Sequence, residues 1–334
     1  MKSKIKNYSY VILAFFISGG LLLSSCKTHS SKPSGPKPPN NPGGYDSSNQ
    51  IAAANLQDFL TLNGSATDAK GHIQGTNSGG SFVSGMLSGT QAWQGSSSNY
   101  SYLGYPGAGT GLQTLTSFTV SAWIKANQPS NNPNAVVTPG LGEQCFFQLV
   151  NDSAWQSNIH LGLTSFTSIT GGTTLNADTL QLKIILSNFG SGVIWQNYYL
   201  TADLDTAVGK WTNVVVTYSS ATSMLNVYEN GVAVKINGPY TPAGGSVGLE
   251  LYQNDPGSLT NTNGAPPYGN LQFKNATAVV VGGWGINTTP PLSFGGIQPW
   301  AGEYTGAIER LRIYNSSLSA TDVNSLYILE KAGF

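Results

Sequence analysis

The chain has 334 residues, 40% of them apolar and only 9% Asp, Glu, Lys or Arg. A typical soluble domain carries about 25% charged residues, so this surface must be built from neutral polar groups. Fifteen basic and fifteen acidic residues cancel, which argues against a nucleic-acid partner, since such proteins usually show a basic stripe; a Lys/Glu-rich coiled coil is also excluded. Gly is abundant, with 41 residues, and with frequent Ser, Thr and Asn it favours turns and strands over long helices.

Lys2, Lys4 and Lys6 precede an apolar run over residues 10–23 that is broken by Ser18, Gly19 and Gly20. The run is too short to span a bilayer and suits a secretion signal. It ends in Leu23-Ser24-Ser25-Cys26, which resembles the bacterial lipoprotein signal. That resemblance implies cleavage after residue 25 and acylation of Cys26 by diacylglycerol and palmitate. Lys27 follows the anchor where inner-membrane retention uses Asp, so the resemblance favours the outer membrane. Cys145 would then be the sole thiol, expected to be a buried small apolar residue. Residues 27–50 are Ser, Pro, Gly and Asn with almost nothing apolar, and predict a flexible tether.

Short alternating segments follow from Ile51 onward. Phe118, Val120, Ala122 and Ile124 share one strand face; Leu180, Leu182, Ile184 and Leu186 form another. Thr212 to Tyr218 is a β-branched run introduced by Trp211. Asn230-Gly231 between two strand-like runs is a strong hairpin signal. Apolar strands are predicted at 278–281 and 308–314. Near the C-terminus, Ser319 and Asp322 have the N-cap and N3 spacing of a helix, with Leu318 and Val323 at hydrophobic staple positions. Two Asn-, Pro- and Gly-rich stretches, 127–158 and 238–275, read as long loop insertions. The pattern predicts a single all-β domain over 51–334: a two-sheet antiparallel β-sandwich with a short C-terminal helix.

Three segments carry a family resemblance: 118–125 (FTVSAWIK), 210–218 with 225–232 (KWTNVVVTY, LNVYENGV), and 306–315 followed by Leu318-Ser319-Ala320 (GAIERLRIYN, LSA). Asn63-Gly64-Ser65 and Asp68-Ala69-Lys70-Gly71 fit the family's opening motif. In this order they resemble the laminin G-like branch of the concanavalin A-like lectin/glucanase superfamily. The resemblance implies a concanavalin A-like jelly roll whose concave sheet leaves one face free for an extended ligand. It also implies Ca²⁺ as a cofactor, with Asp68 and Glu309 as candidate metal ligands, although Glu309 stands where the family has Asp.

Members of that superfamily bind glycans, bind proteins or hydrolyse polysaccharides. A retaining hydrolase needs two carboxylates about 5–5.5 Å apart, and no Glu-x-Asp-x-Glu strand occurs; Asp203-Leu204-Asp205 is the nearest arrangement, read as lying in the loop before Trp211. Glycan binding needs open aromatic faces with amides and carboxylates for hydroxyls. Trp123 and Trp211 match core positions and are assigned to packing. Trp155, Trp195, Tyr198, Tyr199, Tyr252, Tyr268, Trp284 and Trp300 fall in or near loop-rich segments. Of these, Trp155, Trp195, Tyr199 and Trp284 are the ligand-binding candidates, for an uncharged polysaccharide. The leading expectation is thus a lipid-anchored, non-catalytic carbohydrate-binding module. The alternatives are a glycoside hydrolase with a diverged site and an adhesion domain for a cell-surface protein.

Overall fold

The computed structural model describes residues 36–96, 100–127, 143–164, 180–188, 197–205, 208–237, 245–253, 264, 266–298 and 301–334. Cys26, Trp195 and Trp300 lie outside them. In chain order the elements are β1 (Leu56–Leu60), β2 (Thr76–Ser78), β3 (Ser81–Ser84), β4 (Gln91–Gln94), β5 (Tyr102–Pro106), α1 (Gly109–Leu112), β6 (Phe118–Lys125), β7 (Glu143–Asn151), β8 (Ala154–Thr164) and β9 (Leu180–Ser187). There follow β10 (Asn197–Leu204), β11 (Trp211–Ser219), β12 (Met224–Glu229), β13 (Val232–Asn237), β14 (Ser246–Val247), β15 (Leu249–Glu250), β16 (Ala276–Val281), β17 (Ala301–Glu303), β18 (Ala307–Tyr314) and α2 (Ala320–Ala332).

The strands form two layers. In the first, β18 pairs with β1 and β4 on one side and β6 on the other, and β6 continues through β11 and β12 to β13. In the second, β2, β5, β16, β7, β8, β9 and β10 follow one another, with β17 running parallel to β7. Every other strand pairing among the described residues is antiparallel. β13 belongs to both layers: Val232 and Val234 pair with β12, while Ile236 and Asn237 pair with β10. The inner faces meet in one core, with Phe118, Val120, Ala122 and Ile124 of the first layer against Leu149, Leu161, Leu182, Ile184 and Val279 of the second. The expected all-β sandwich is the fold.

The stretch 127–158, read as an insertion, contains all of β7 and the start of β8. β7 is buried along its whole length, so it lacks the in–out alternation that marks a half-exposed strand. The 27–50 tether also ends earlier than expected. Gly43 N–H donates to Ser325 Oγ at 2.8 Å, Tyr45 Oη to Asp322 Oδ1 at 2.7 Å, and Ser48 Oγ to the Phe334 carbonyl at 2.7 Å. Residues 41–50 are therefore pinned to α2 and the chain beyond it.

α2 is delimited as its sequence predicts. Ser319 Oγ accepts from Asp322 N–H at 3.1 Å and donates to Asp322 Oδ2 at 2.7 Å. Gly333, with φ 85°, closes the helix C-terminus. Val323, Leu326 and Leu329 bury against Val215, Tyr228 and Tyr314 on the outer face of the first layer. At the centre of this contact, the fully buried Glu330 accepts from Trp123 Nε1 at 2.7 Å and from Arg312 Nε at 2.8 Å. Removing one partner of a buried pair strands the other charge, at a cost of about 3–5 kcal/mol. Glu330→Ala is accordingly expected to lower unfolding stability by about that amount in urea titration; an unchanged midpoint would remove the pair from its central position.

Candidate functional site

The outer face of the second layer is covered by the protein's own chain across β5, β16, β7 and β8. After β16, Gly282 takes φ 78°, in the left-handed region where Gly is at ease, and a side chain there would collide with the Trp93 ring. The chain turns back over the sheet. Leu292 packs on Tyr102, Val150, Ala278 and Val280, while Trp284 and Ile286 pack on Cys145 and Ala301.

Beneath this cover lies a polar knot. Glu143 on β7 bonds through Oε1 to His160 Nε2 and through Oε2 to Lys183 Nζ, both at 2.5 Å. It passes over Gly162, where a Cβ would meet Glu143 Oε1 at 2.6 Å and His160 Nε2 at 2.7 Å, so only Gly admits this crossing. The tautomer follows from the backbone. Gly285 N–H donates to Gln148 Oε1 at 2.7 Å, which turns the Gln148 amide nitrogen toward His160 Nδ1 at 2.9 Å. Nδ1 therefore accepts, and Nε2–H donates to Glu143.

Burial would raise the Glu143 carboxyl, but Lys183 and His160 outweigh it and hold it below the usual carboxylate range. Burial pushes the His160 imidazole below its ordinary value, consistent with the neutral tautomer.

Cys145 Sγ is 3.6 Å from His160 Nδ1, so the order Cys–His–Glu imitates a nucleophilic triad. It lacks a triad's reactivity. Burial, reinforced by Glu143 and Glu303, pushes the thiol well above its ordinary value, and the nucleophile must be the thiolate. The Nδ1 lone pair is already occupied by Gln148, and the Trp284 ring lies 4.2 Å from the His160 ring. Cys145 is the buried, free residue the sequence predicts.

Trp284 is fully buried and donates Nε1–H to the Glu143 carbonyl at 3.1 Å. It is a packing residue, which corrects its placement among the ligand-binding candidates. Trp155 is half-buried against the same cluster. Tyr199 lies in β10, its side chain outside the described residues. Tyr268 belongs to the core. Asp203 is the penultimate residue of β10, not a loop residue, and accepts from Gln181 Nε2 at 3.0 Å.

The two residues proposed for Ca²⁺, Asp68 and Glu309, do not come together in one cluster of the described residues. Asp68 accepts from the N–H groups of Phe59, Lys70 and His72 at 2.7, 3.0 and 2.9 Å, the bonding of a turn aspartate. Its ionisable neighbours are Asp58 and His72. Ligand atoms of these three side chains lie within 4.8 Å of one another, with three N–H groups already bound to the Asp68 carboxylate. Glu309 is elsewhere, at a β-bulge where Arg310 has φ 51°. It accepts from Met86 N–H at 3.0 Å and lines a pocket of about 250 Å³ together with Arg310 and Arg312, whose guanidinium groups oppose a cation.

Open aromatic surface lies on the first layer instead. β6 and β11 present Trp123 and Trp211 on the face toward α2, and the Trp123 ring stacks on Tyr327 with centroids 5.7 Å apart and 22° between planes. The Asn230-Gly231 turn passes beneath the helix; a Cβ at Gly231 would meet Tyr327 Cβ at 3.1 Å. Between these parts is a pocket of about 440 Å³ walled by Trp123, Trp211, Tyr327, Met86 and Leu87, with Lys210, Asn230 and Lys331 at its edge. Trp211 and Tyr327 are half-buried, leaving ring surface accessible. The assignment of Trp211 wholly to packing is thus incomplete: it is the first residue of β11, where the sheet stops covering it. The size and the aromatic walls with a few polar groups are those of a small-ligand site.

No protein-family model and no curated protein matches the chain. Among solved structures, it resembles the fourth domain of AbnA, a GH43 extracellular arabinanase from Geobacillus stearothermophilus in complex with arabinotriose, with 18% identity over 82% of this chain and 98% of that one and a TM-score of 0.45. It also resembles botulinum neurotoxin type C, with 12% identity, 83% and 51% coverage and a TM-score of 0.47, and the receptor-binding domain of botulinum neurotoxin type G, with 12% identity, 83% and 51% coverage and a TM-score of 0.43. The chain spans about half the length of these neurotoxin chains. At these identities the likeness concerns fold alone.

Glu303, on β17 beside Cys145, provides a test of the sealed face. Burial pushes its carboxyl up to about 8, with only the Asn287 amide, at 2.8 Å from Oε1, acting against this. The folded chain thus holds a proton that the unfolded chain releases near 4.5, so stability is fullest below that pH and falls as pH rises toward 8. Glu303→Gln is expected to flatten this decline by on the order of 1–3 kcal/mol between pH 5 and 8 in urea titrations; an undiminished slope would show that Glu303 is ionised or exposed.

Proposed function

We propose that the chain is a lipid-anchored, non-catalytic carbohydrate-binding module of the cell envelope, held through Cys26 at the outer membrane, which captures glycan in the aromatic pocket beneath α2. The observation that carries this reading is the accessible ring surface of Trp211 and Tyr327 in a pocket of about 440 Å³, room for one or two sugar rings. A pyranose presents a flat C–H face to an aromatic ring and hydroxyls to its rim, and Asn230, Lys210 and Lys331 offer hydrogen-bond donors there. The sealed Glu143–His160–Cys145 knot supports binding over hydrolysis. Leu23-Ser24-Ser25-Cys26 and the polar stretch after it support anchoring on a tether.

One observation favours protein adhesion as a second reading. Phe294 and Ile297, on the segment that crosses the second layer, are 68% and 55% exposed, and a Cβ at Gly295 between them would meet Trp155 Cβ at 3.6 Å; exposed apolar side chains of this kind meet protein surfaces.

On a glycan array, the full-length chain is expected to bind a restricted set of saccharides. Trp211→Ala or Tyr327→Ala should weaken that binding by about 10- to 100-fold, the effect of removing one aromatic anchor. Binding that ignores both substitutions would reject the pocket, and a blank array would reject glycan capture. Cys26→Ser is expected to shift the chain from the membrane fraction to the soluble fraction; continued membrane association would reject the anchor.

A further inference from the structure

We infer that the unit held in this pocket is an acidic sugar, one whose ring carries a carboxylate or sulfate, engaged by Lys210 and Lys331 while its C–H face lies on Trp211 and Tyr327. The inference rests on the glycan-binding reading and departs from the uncharged polysaccharide that the composition suggests, because the local charge differs from the average. Ten of every eleven residues in the chain are uncharged at neutral pH by type, yet two ammonium groups border this one cavity, and no carboxylate is among its described lining residues.

Among the described residues, the carboxylates next to Lys331 and Met86 are engaged elsewhere. Lys331 Nζ donates to Tyr327 Oη at 2.8 Å, a neutral partner that leaves its charge and other N–H groups available. Glu330, next in sequence, faces inward: its carboxylate lies under Trp123 and is paired with Arg312 at 2.8 Å. Glu309, whose Oε2 receives the Met86 N–H, faces Arg310 at 3.6 Å. Lys125, exposed and directly across the ladder from Trp211, adds a third positive charge to the same pair of strands. An anion drawn to this rim would find aromatic walls for the rest of its ring, whereas a bare anion such as phosphate would leave those walls uncovered.

The test measures binding of the full-length chain, in neutral detergent, to an oligogalacturonate, a sulfated oligogalactan and a neutral oligogalactose of equal length, with anionic phosphatidylglycerol vesicles as a fourth probe. The inference expects at least one acidic oligomer to bind about tenfold or more tightly than the neutral one, the two acidic probes separating carboxylate from sulfate. That preference should weaken several-fold as NaCl rises from roughly 20 to 300 mM. Lys210→Gln with Lys331→Gln should remove the preference for the acidic oligomers over the neutral one. Both lysines are at the surface, so this variant folds independently of the outcome. Trp211→Phe, which keeps an aromatic wall, should retain acidic binding, and Trp211→Ala should lose it.

Equal affinity for acidic and neutral oligomers, or a preference that survives the double lysine variant, overturns the inference and leaves glycan capture standing. Acidic binding indifferent to Trp211→Ala overturns the placement in this pocket. Binding to vesicles and to no saccharide overturns both the inference and the glycan reading.

Discussion

The molecule depends most on one buried carboxylate. Glu330 receives the Trp123 indole N–H and the Arg312 guanidinium, and in doing so fixes a helix onto a sheet face that would otherwise be solvated. Arg312 is held further by Ser48 and Asn49 at 3.2 and 3.0 Å and lies over the Phe59 ring at 3.7 Å. Thus β1, β6, β18, the segment before β1 and α2 all converge on one ion pair. Apolar contacts supply the area for docking, but the pair sets the register of the helix. Because Tyr327 stacks on Trp123, that register also determines the shape of the aromatic pocket.

The two outer faces of the sandwich have been put to opposite uses. On the second layer, the chain spends its polar side chains on one another: Glu143 satisfies His160 and Lys183, Gln148 bridges His160 to Gly285, and Trp284 closes the arrangement. Such networks confer specificity on the packing when every member is paired, and pairing is what makes them chemically inert. On the first layer the helix covers only part of the sheet, and the rings at its margin remain half open. A β-sandwich has two outer surfaces, and here the chain seals one across β5, β16, β7 and β8 and leaves the other partly open.

Much of the fold was readable because local signals agree with one another. β6 spans the predicted residues and buries the predicted alternate set, Asn230-Gly231 turns with φ 51° and 79°, and Ser319 caps α2 as its spacing to Asp322 requires. The site was much less readable. Trp284 follows two glycines and looked like a loop aromatic, yet the left-handed turn at Gly282 sends it inward. Trp211 matches a core position of the resembled family and so reads as packing, but as the first residue of β11 it sits at the strand's end and is only half-buried. β7 was missed because burial of both faces removes alternation. Glu143, His160 and Lys183 are separated by 17 and 23 positions, and only the pairing of β7, β8 and β9 brings them together. No spacing rule along the chain could have shown it.

β13 gives the sandwich a mechanical property. Its first half is laddered into one sheet and its second half into the other, so neither sheet can slide or peel away without tearing a strand that its counterpart also owns. This crossover couples the failure of the two layers, and the body is therefore built to come apart all at once rather than leaf by leaf.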